Sequence, residues 1–509
     1  MIDNYSLTAG KIKVNIEIKK GERDFVPVYY VKLPKLEEGT LALLDEIKEE
    51  IISELQIKTH ELLDPRAMED LKAKLYSQGV GLIRKKLPGI STAEEGFLVT
   101  SLVNDMLGLG KIELLLADGK LEEIVVNSSK DTVWVYHKQH GWLKTDITIP
   151  NEADILNYAS AIGRKVGRQI TTMHPLLDAH LVSGDRVNAT LFPISTVGNT
   201  LTIRMFRRKP WTITDFIENK TISSQIAALL WLAIEFEMNM IISGGTATGK
   251  TSFLNTLMPF IPPNQRIISI EDTREVNLPD FLHWIPMTTR EPNPEGKGGI
   301  NMLDLLVNSL RMRPDRMVVG EIRRSEEAEV LFEAMHTGHS VYSTLHADTA
   351  GQTLRRLINP PISVPEPLLE ALDLLVVMFR DRRKGIRRIY EVVELIPSVI
   401  ATGEERVKEN MRVLFKWEPV KDEIIKYKES IRVMEKLKRY GGMNETEIQK
   451  DLREKQLILD WMVNNKVNTV NAVGFVVSEY YQDPEKFLKT MRKKPKAADL
   501  IPKHYLESL

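Results

Sequence analysis

Gly244-Gly245-Thr246-Ala247-Thr248-Gly249-Lys250-Thr251, with Ser252 behind it, is the stretch on which the reading of this chain turns. Glycines let such a loop curl until its backbone N–H groups face the β- and γ-phosphates of a nucleoside triphosphate. The lysine adds a reaching cation, and the threonine hydroxyl can ligate Mg²⁺. The flanks make the pattern specific. Met238 to Ser243 reads as a short buried strand ending at the loop, and Thr251 to Phe260 reads as a helix stopped by Pro262 and Pro263.

Downstream, two more apolar runs close on acids. Ile267 to Ile270 leads into Glu271-Asp272-Thr273-Arg274-Glu275. Carboxylates at the C-terminal end of a strand lie on the edge where open α/β sheets bind ligands. There they can orient or deprotonate water and help hold Mg²⁺. Acids stabilising a helix N-terminus would give the same local pattern. Arg316 to Val319 leads through Gly320 to Glu321, the candidate for addressing the metal or its water, and Gly320 would let the backbone approach the nucleotide or mark a bulge. A third segment, His336 to Asp348, carries His339 and His346. Imidazole can hydrogen-bond a γ-phosphate and changes charge near neutrality. The spacing of His336, His339 and His346 matches no compact zinc pattern, and plain structural histidines are the alternative.

A chain of 509 residues is too long for one core and suggests about two to four domains. Its 69 Lys plus Arg balance 70 Asp plus Glu, so no global field draws it onto nucleic acid or anionic lipid. The absence of cysteine excludes disulfides, thiolate zinc sites and cysteine catalysis, and fits a reducing compartment or a hot habitat. The best apolar run, Ile226 to Ile234, is about half the length of a spanning helix, and the N-terminus lacks signal-peptide blocks, so a soluble cytoplasmic protein is expected.

Residues 1–95 read as a mixed extension, with an alternating segment at Lys11 to Lys19 and helices near Leu41 to Leu55 and Met68 to Leu87. Residues 96–208 read as an α+β domain. Its expected helices are Gly96 to Leu107 and Glu152 to Val166, and its expected strands are Glu123 to Asn127, Thr132 to Tyr136, Val187 to Phe192 and Thr200 to Phe206. The break at Lys209-Pro210-Trp211-Thr212 opens a linker over 209–219. Strands and helices alternate over 220–398, the pattern of an α/β domain with a parallel sheet, and 399–509 reads as mostly helical, broken at Gly441-Gly442 and restarted near Asn444. The basic runs Arg382-Arg383-Lys384 with Arg387-Arg388, and Arg492-Lys493-Lys494, read as a solvated hairpin and tail, since no aromatics interleave with them.

Taken together, the phosphate loop, the Ile270-Glu271-Asp272-Thr273-Arg274-Glu275 segment, Arg313-Pro314-Asp315 to Arg323, and Thr337-Gly338-His339 to His346-Ala347 resemble the secretion ATPases of the type II/type IV superfamily. They stand in the order of that family's Walker A, Asp box, Walker B and His box. Upstream, Leu107 to Asn127 and Pro175 to Asn188 look like the family's PAS-like N-terminal domain. The resemblance implies a RecA-like ATPase domain behind that domain, with ATP and Mg²⁺ as ligands. It implies Lys250, Glu271, Glu275 and Glu321 as catalytic groups and Thr251, Asp272 and Glu321 around the metal. His339, His346, Arg168, Arg186 and Arg204 would reach the nucleotide; arginine forks bind phosphate oxygens well. It also implies a homohexamer on the cytoplasmic face of a membrane, working with an integral-membrane platform protein and, through it, on pilin-like or exported proteins. Bacterial type II members commonly carry a four-cysteine zinc element in the C-terminal region, so a chain without cysteine points to the archaeal branch, including archaellum and pilus motors. A DNA-translocating conjugation ATPase and a non-catalytic ATP-gated scaffold are the alternatives, and the neutral charge balance makes nucleic acid an unexpected partner.

Overall fold

Ile12, Val14, Ile16 and Ile18 alternate with polar residues, the period of a half-buried strand. The computed structural model describes all residues except 11, 22–24, 34–37, 55–64, 182–183, 207–209, 291, 293–295, 382, 396–410, 494 and 508–509. In it this run is β2 (Ile12–Lys20), antiparallel to β1 (Asp3–Ala9) and β3 (Pro27–Lys32). Then come α1 (Glu38–Glu54), α2 (Pro65–Lys86), α3 (Thr92–Leu107), α4 (Ile112–Leu116), β4 (Leu121–Val126), β5 (Thr132–His137), β6 (Gly141–Thr148), α5 (Glu152–Lys165), β7 (Leu176–His180), β8 (Arg186–Thr190) and β9 (Thr200–Arg204). These nine strands form one sheet in the order β1-β2-β3-β6-β5-β4-β9-β8-β7.

The expected division at residues 95 and 96 is not a boundary in the structure. It falls inside α3, which begins at Thr92 because Ser91 and Glu94 form a capping box. β3 also lies parallel to β6, with Val28 opposite Lys144 and Tyr29 opposite Thr145. One core holds Val14, Tyr29 and Leu75 from the expected extension together with Ile124, Val135 and Ile155 from the expected domain. Extension and domain are thus one compact unit, Met1–Arg208.

The second compact unit is Lys209–Leu509. Its elements are α6 (Ile213–Glu218), α7 (Ser224–Glu235), β10 (Met240–Gly244), α8 (Lys250–Leu257), β11 (Ile267–Glu271), β12 (Trp284–Thr288), α9 (Met302–Ser309), β13 (Arg316–Val319), α10 (Ser325–His336), β14 (Ser340–Leu345), α11 (Ala350–Ile358), β15 (Leu374–Asp381), β16 (Ile386–Leu395), β17 (Met411–Glu418) and β18 (Glu423–Lys426), then a helical end from α12 (Ile431–Tyr440) onward. Its sheet runs β12-β11-β13-β14-β10-β15-β16-β17-β18. In that order the strands from β12 to β15 are mutually parallel, and β16 to β18 continue antiparallel.

Two expectations change here. The 209–219 stretch is not an open linker: Thr212 and Asp215 cap α6, and Ile213 and Phe216 are buried in this unit's core. Residues 411–426, expected to be helical, extend the sheet, because Leu414, Phe415 and Trp417 are buried in that same core. Lys11, Lys209, Arg382, Lys494 and the expected boundary at 398 and 399 lie outside the described residues. The apolar run Ile226 to Ile234 is buried at every position in α7, and no helix among the described residues is long and apolar enough to cross a membrane. The helical end is bolted to the sheet. Asp373, with no exposed surface, takes Arg432 Nε at 2.5 Å and Lys436 Nζ at 2.7 Å, while buried Glu394 accepts the N–H groups of Ile431 and Arg432 at the start of α12.

Candidate active site

β10 delivers the phosphate loop at the C-terminal edge of its sheet. Gly244 sits at φ 155°, and a Cβ there would lie 2.6 Å from Thr248 Oγ1 and 2.7 Å from the Met378 carbonyl. Only glycine fits this close approach to β15. The Thr248 hydroxyl and Lys250 Nζ both donate to the Gly245 carbonyl, at 2.9 and 3.2 Å, drawing the loop into a tight turn. Gly249 at φ 94° then starts α8, whose first N–H groups have no partner within the helix and suit an anion. Thr251 and Ser252 occupy its first turn. Beside the loop lies an open cleft of about 830 Å³ lined in part by Gly245, Thr246, Thr248, His346, Asp348 and Arg356.

The strand order brings the expected acids to the same edge. β14 separates β10 from β13, and β11 lies beyond β13, so the ends of all four line up. Across them runs a chain of charged and polar groups. Lys250 Nζ lies 3.1 Å from His346 Nδ1, and His346 Nε2 lies 3.2 Å from Glu321 Oε1. Arg323 donates to Glu321 Oε2 at 2.9 Å through Nη2 and to Asp272 Oδ2 at 2.5 Å through Nη1. This network assigns the tautomer of His346: Nδ1 accepts from Lys250 and Nε2–H donates to Glu321. Burial and the Lys250 ammonium hold the imidazole below its ordinary pKa, against the pull of Glu321, which agrees with a neutral ring. Burial also lowers Lys250, opposed by Glu321 and Asp348.

Glu271 closes β11 and is 2% exposed. Its Oε1 accepts the N–H groups of Glu275 and Val276 at 2.9 and 3.0 Å, while its buried Oε2 has no hydrogen-bond partner. Burial pushes the carboxyl up to about 7 in spite of those two bonds. A carboxyl poised near neutrality lies in the range where a general base works. Thr251, Asp272 and Glu321 offer oxygen donors only, which is Mg²⁺ chemistry, so the residues fit that ion.

Other expected residues are placed differently. His339 precedes β14 and His346 follows it, so the two lie at opposite ends of the strand. His339 Nδ1 faces Thr337 Oγ1 at 3.2 Å and the Ala334 carbonyl at 3.3 Å, at the edge away from the loop. The structure therefore does not bring His339 to this site. A Cβ on Gly320 would meet Glu271 only at 3.6 Å, an ordinary contact, so this position does not require glycine. In the first unit Arg186 and Arg204 are direct cross-strand partners on β8 and β9, and Arg204 is also opposite Glu123. Directly opposed like charges favour an anion or an acid close by. Arg168 donates to the Asp178 carbonyl on β7.

Sequence reading passes over the roles of Arg323, Asp348 and Arg356. Arg323 follows Glu321 by two residues, and that spacing is its only sequence signal. Asp348 carries no motif of its own, and a Cβ on Gly245 would touch its Oδ1 at 2.6 Å. Arg356 Nη1 donates to the His346 carbonyl at 2.9 Å from the polar face of α11, where nothing but the fold links it to the loop.

A family model described as type II/IV secretion system protein matches residues 111–380. The uncharacterized protein MJ0900 of Methanocaldococcus jannaschii is 34% identical over 405 residues, covering 77% of this chain and 71% of its own length. The type IV secretion system protein PtlH of Bordetella pertussis is 29% identical over 301 residues, 53% of this chain and 88% of that protein. Among solved structures, the ATPase DotB of Legionella pneumophila aligns with a TM-score of 0.42 at 16% identity, covering 75% of this chain and 95% of that one.

Proposed function

Since the chain belongs to the type II/IV secretion system protein family, we propose that it is an ATP-hydrolysing motor driving protein secretion or assembly of a pilus- or archaellum-type filament. The observation that carries this reading is the continuous line Lys250, His346, Glu321, Arg323, Asp272 laid beside a phosphate loop. Its members are held by one another, and each has a task toward a bound phosphate. Lys250, held beside the loop at the Gly245 carbonyl and His346, is the cation for phosphate oxygens. His346, set between Lys250 and Glu321, links the loop to Glu321 and through Arg323 to Asp272. Thr251, Asp272 and Glu321 are the residues that would hold Mg²⁺, which supplies charge neutralisation at the phosphate oxygens. Glu271 takes the proton of the attacking water, and Glu275 is the second acid of that segment.

The same reading makes the first unit a PAS-like domain, with Arg168, Arg186 and Arg204 as its candidate phosphate-binding arginines. The working form would be a homohexamer on the cytoplasmic face of a membrane, acting through an integral-membrane platform protein.

A phosphate-release assay tests the proposal. Wild type should hydrolyse Mg·ATP, Lys250→Ala should abolish turnover, and Glu321→Gln should keep ATP bound but largely uncleaved. Normal hydrolysis by Glu321→Gln would remove that residue from its role. Nucleotide binding without turnover in the wild type would favour a gated scaffold, and strong salt-dependent DNA binding would favour a DNA translocase.

A further inference from the structure

The basic run at the β15–β16 hairpin reads from sequence as solvated, yet the structure divides its labour. Asp381 caps the turn by accepting the N–H groups of Arg383 and Lys384 at 2.9 and 3.1 Å, leaving both side chains exposed at the tip. Arg388 is buried at 6% exposure and bound to Asp422 through two oxygens at 2.7 and 2.8 Å. Its Nη1 also donates to the Arg387 carbonyl at 2.8 Å, which fixes the backbone of the neighbouring residue. From that fixed position Arg387 turns to the phosphate loop. Its Nε donates to the Ala247 carbonyl at 3.3 Å, and its Cδ lies 3.6 Å from where a Cβ on Gly249 would be.

Ala247 is the residue in need of such a hold. It lies at φ 61°, exposed at the tip of the loop and within the left-handed region that a Cβ disfavours. A non-glycine residue persists there when its surroundings over-determine it, and such residues cluster at ligand clamps. Gly244 on one side is pressed against the Met378 carbonyl of β15, so the loop is gripped by that strand and by its hairpin partner β16.

We infer that Arg387 is a positioning residue for the phosphate loop, holding the Ala247 carbonyl so that this residue keeps the left-handed conformation in which the loop presents its N–H groups to phosphate. The inference rests on the proposed nucleotide-binding function. It makes the start of β16 at Arg387, and not the hairpin tip, part of the binding apparatus, and it predicts that the need for Arg387 disappears once residue 247 adopts that conformation without strain.

The test is a four-protein cycle in the full chain, wild type, R387A, A247G and R387A/A247G, with R383A as a control that removes a hairpin charge without the contact. Affinity is read by titrating a fluorescent N-methylanthraniloyl ADP with Mg²⁺ present, and turnover at saturating ATP is read alongside. Loss of one typical hydrogen bond corresponds to about three- to tenfold in an equilibrium constant, so R387A should raise Kd by about that factor. In the Ala247→Gly background the same replacement should cost less than about twofold, since glycine populates the left-handed region freely. R383A should bind as wild type, and turnover of R387A at saturation should change far less than its Kd. Equal affinity of R387A and wild type overturns the inference, as does a loss of the same size in both backgrounds. A loss in R383A matching that in R387A overturns it too, because general charge would then explain both. Thermal melts of each protein separate a folding defect from an effect on the loop. Absence of nucleotide binding by the wild type would overturn the proposed function and the inference with it.

Discussion

Glu271 is where the physical chemistry of one residue says most. Its carboxyl is driven up to about 7 by burial, and its fully formed hydrogen bonds reach only one of its oxygens. With the folded pKa above the unfolded value of 4.5, the native chain holds a proton that the unfolded chain has released between those two pH values. That contribution to stability is therefore complete below the unfolded value and is lost as pH rises through the folded one. Without Mg²⁺ and nucleotide, the urea midpoint should fall over this window in wild type and fall less in Glu271→Gln; an identical pH dependence in both would refute the assignment. In turnover the sign reverses, because the base must be unprotonated. The ATPase rate should climb as pH passes about 7, and Glu271→Gln should lose on the order of 10²- to 10⁴-fold. That an acid ends this strand was legible from an apolar run closing on carboxylates, but not which of Glu271, Asp272 and Glu275 is the base. Its burial was not, because exposure depends on β13 and the turn after β11 closing over it.

At the scale of the element, β14 corrects the grouping of the two histidines. His339 and His346 are close in sequence but flank an extended strand, and a rise of about 3.3 Å per residue sets them on the order of 20 Å apart. A helix or compact loop over the same span would have brought them together. His346→Ala should therefore weaken turnover by about tenfold or more, through loss of the bridge between Lys250 and Glu321. His339→Ala should leave nucleotide affinity within about twofold of wild type. Measured nucleotide dissociation constants and turnover for the two variants decide this, and a large affinity loss on replacing His339 would show that it reaches a nucleotide after all. β17 and β18 teach a similar lesson. Their sequence alternates weakly, and they are strands because β16 offers them an open edge and the core beneath accepts Phe415 and Trp417.

For the whole molecule, the two compact units each carry their own sheet and core. Residues 1–206 and 210–509 produced separately should each unfold cooperatively, and the second should still bind Mg·ADP because the loop, the acids and His346 all belong to it. Its hydrolysis should fall well below that of the full chain, since the candidate arginines belong to the other piece. Full hydrolysis by 210–509 alone would show that Arg168, Arg186 and Arg204 are dispensable. The sequence alone determined the phosphate loop, the acidic strand ends and their order, because those are local patterns in which residue type and spacing carry the chemistry. The tertiary structure decided that the first 95 residues share a sheet with the strands between Leu121 and Arg204, that Arg323 and Arg356 join the site, that His339 does not, and that Arg387 grips the loop. Each of these depends on strand neighbours set by long-range pairing, and such pairing leaves no periodic mark in the chain.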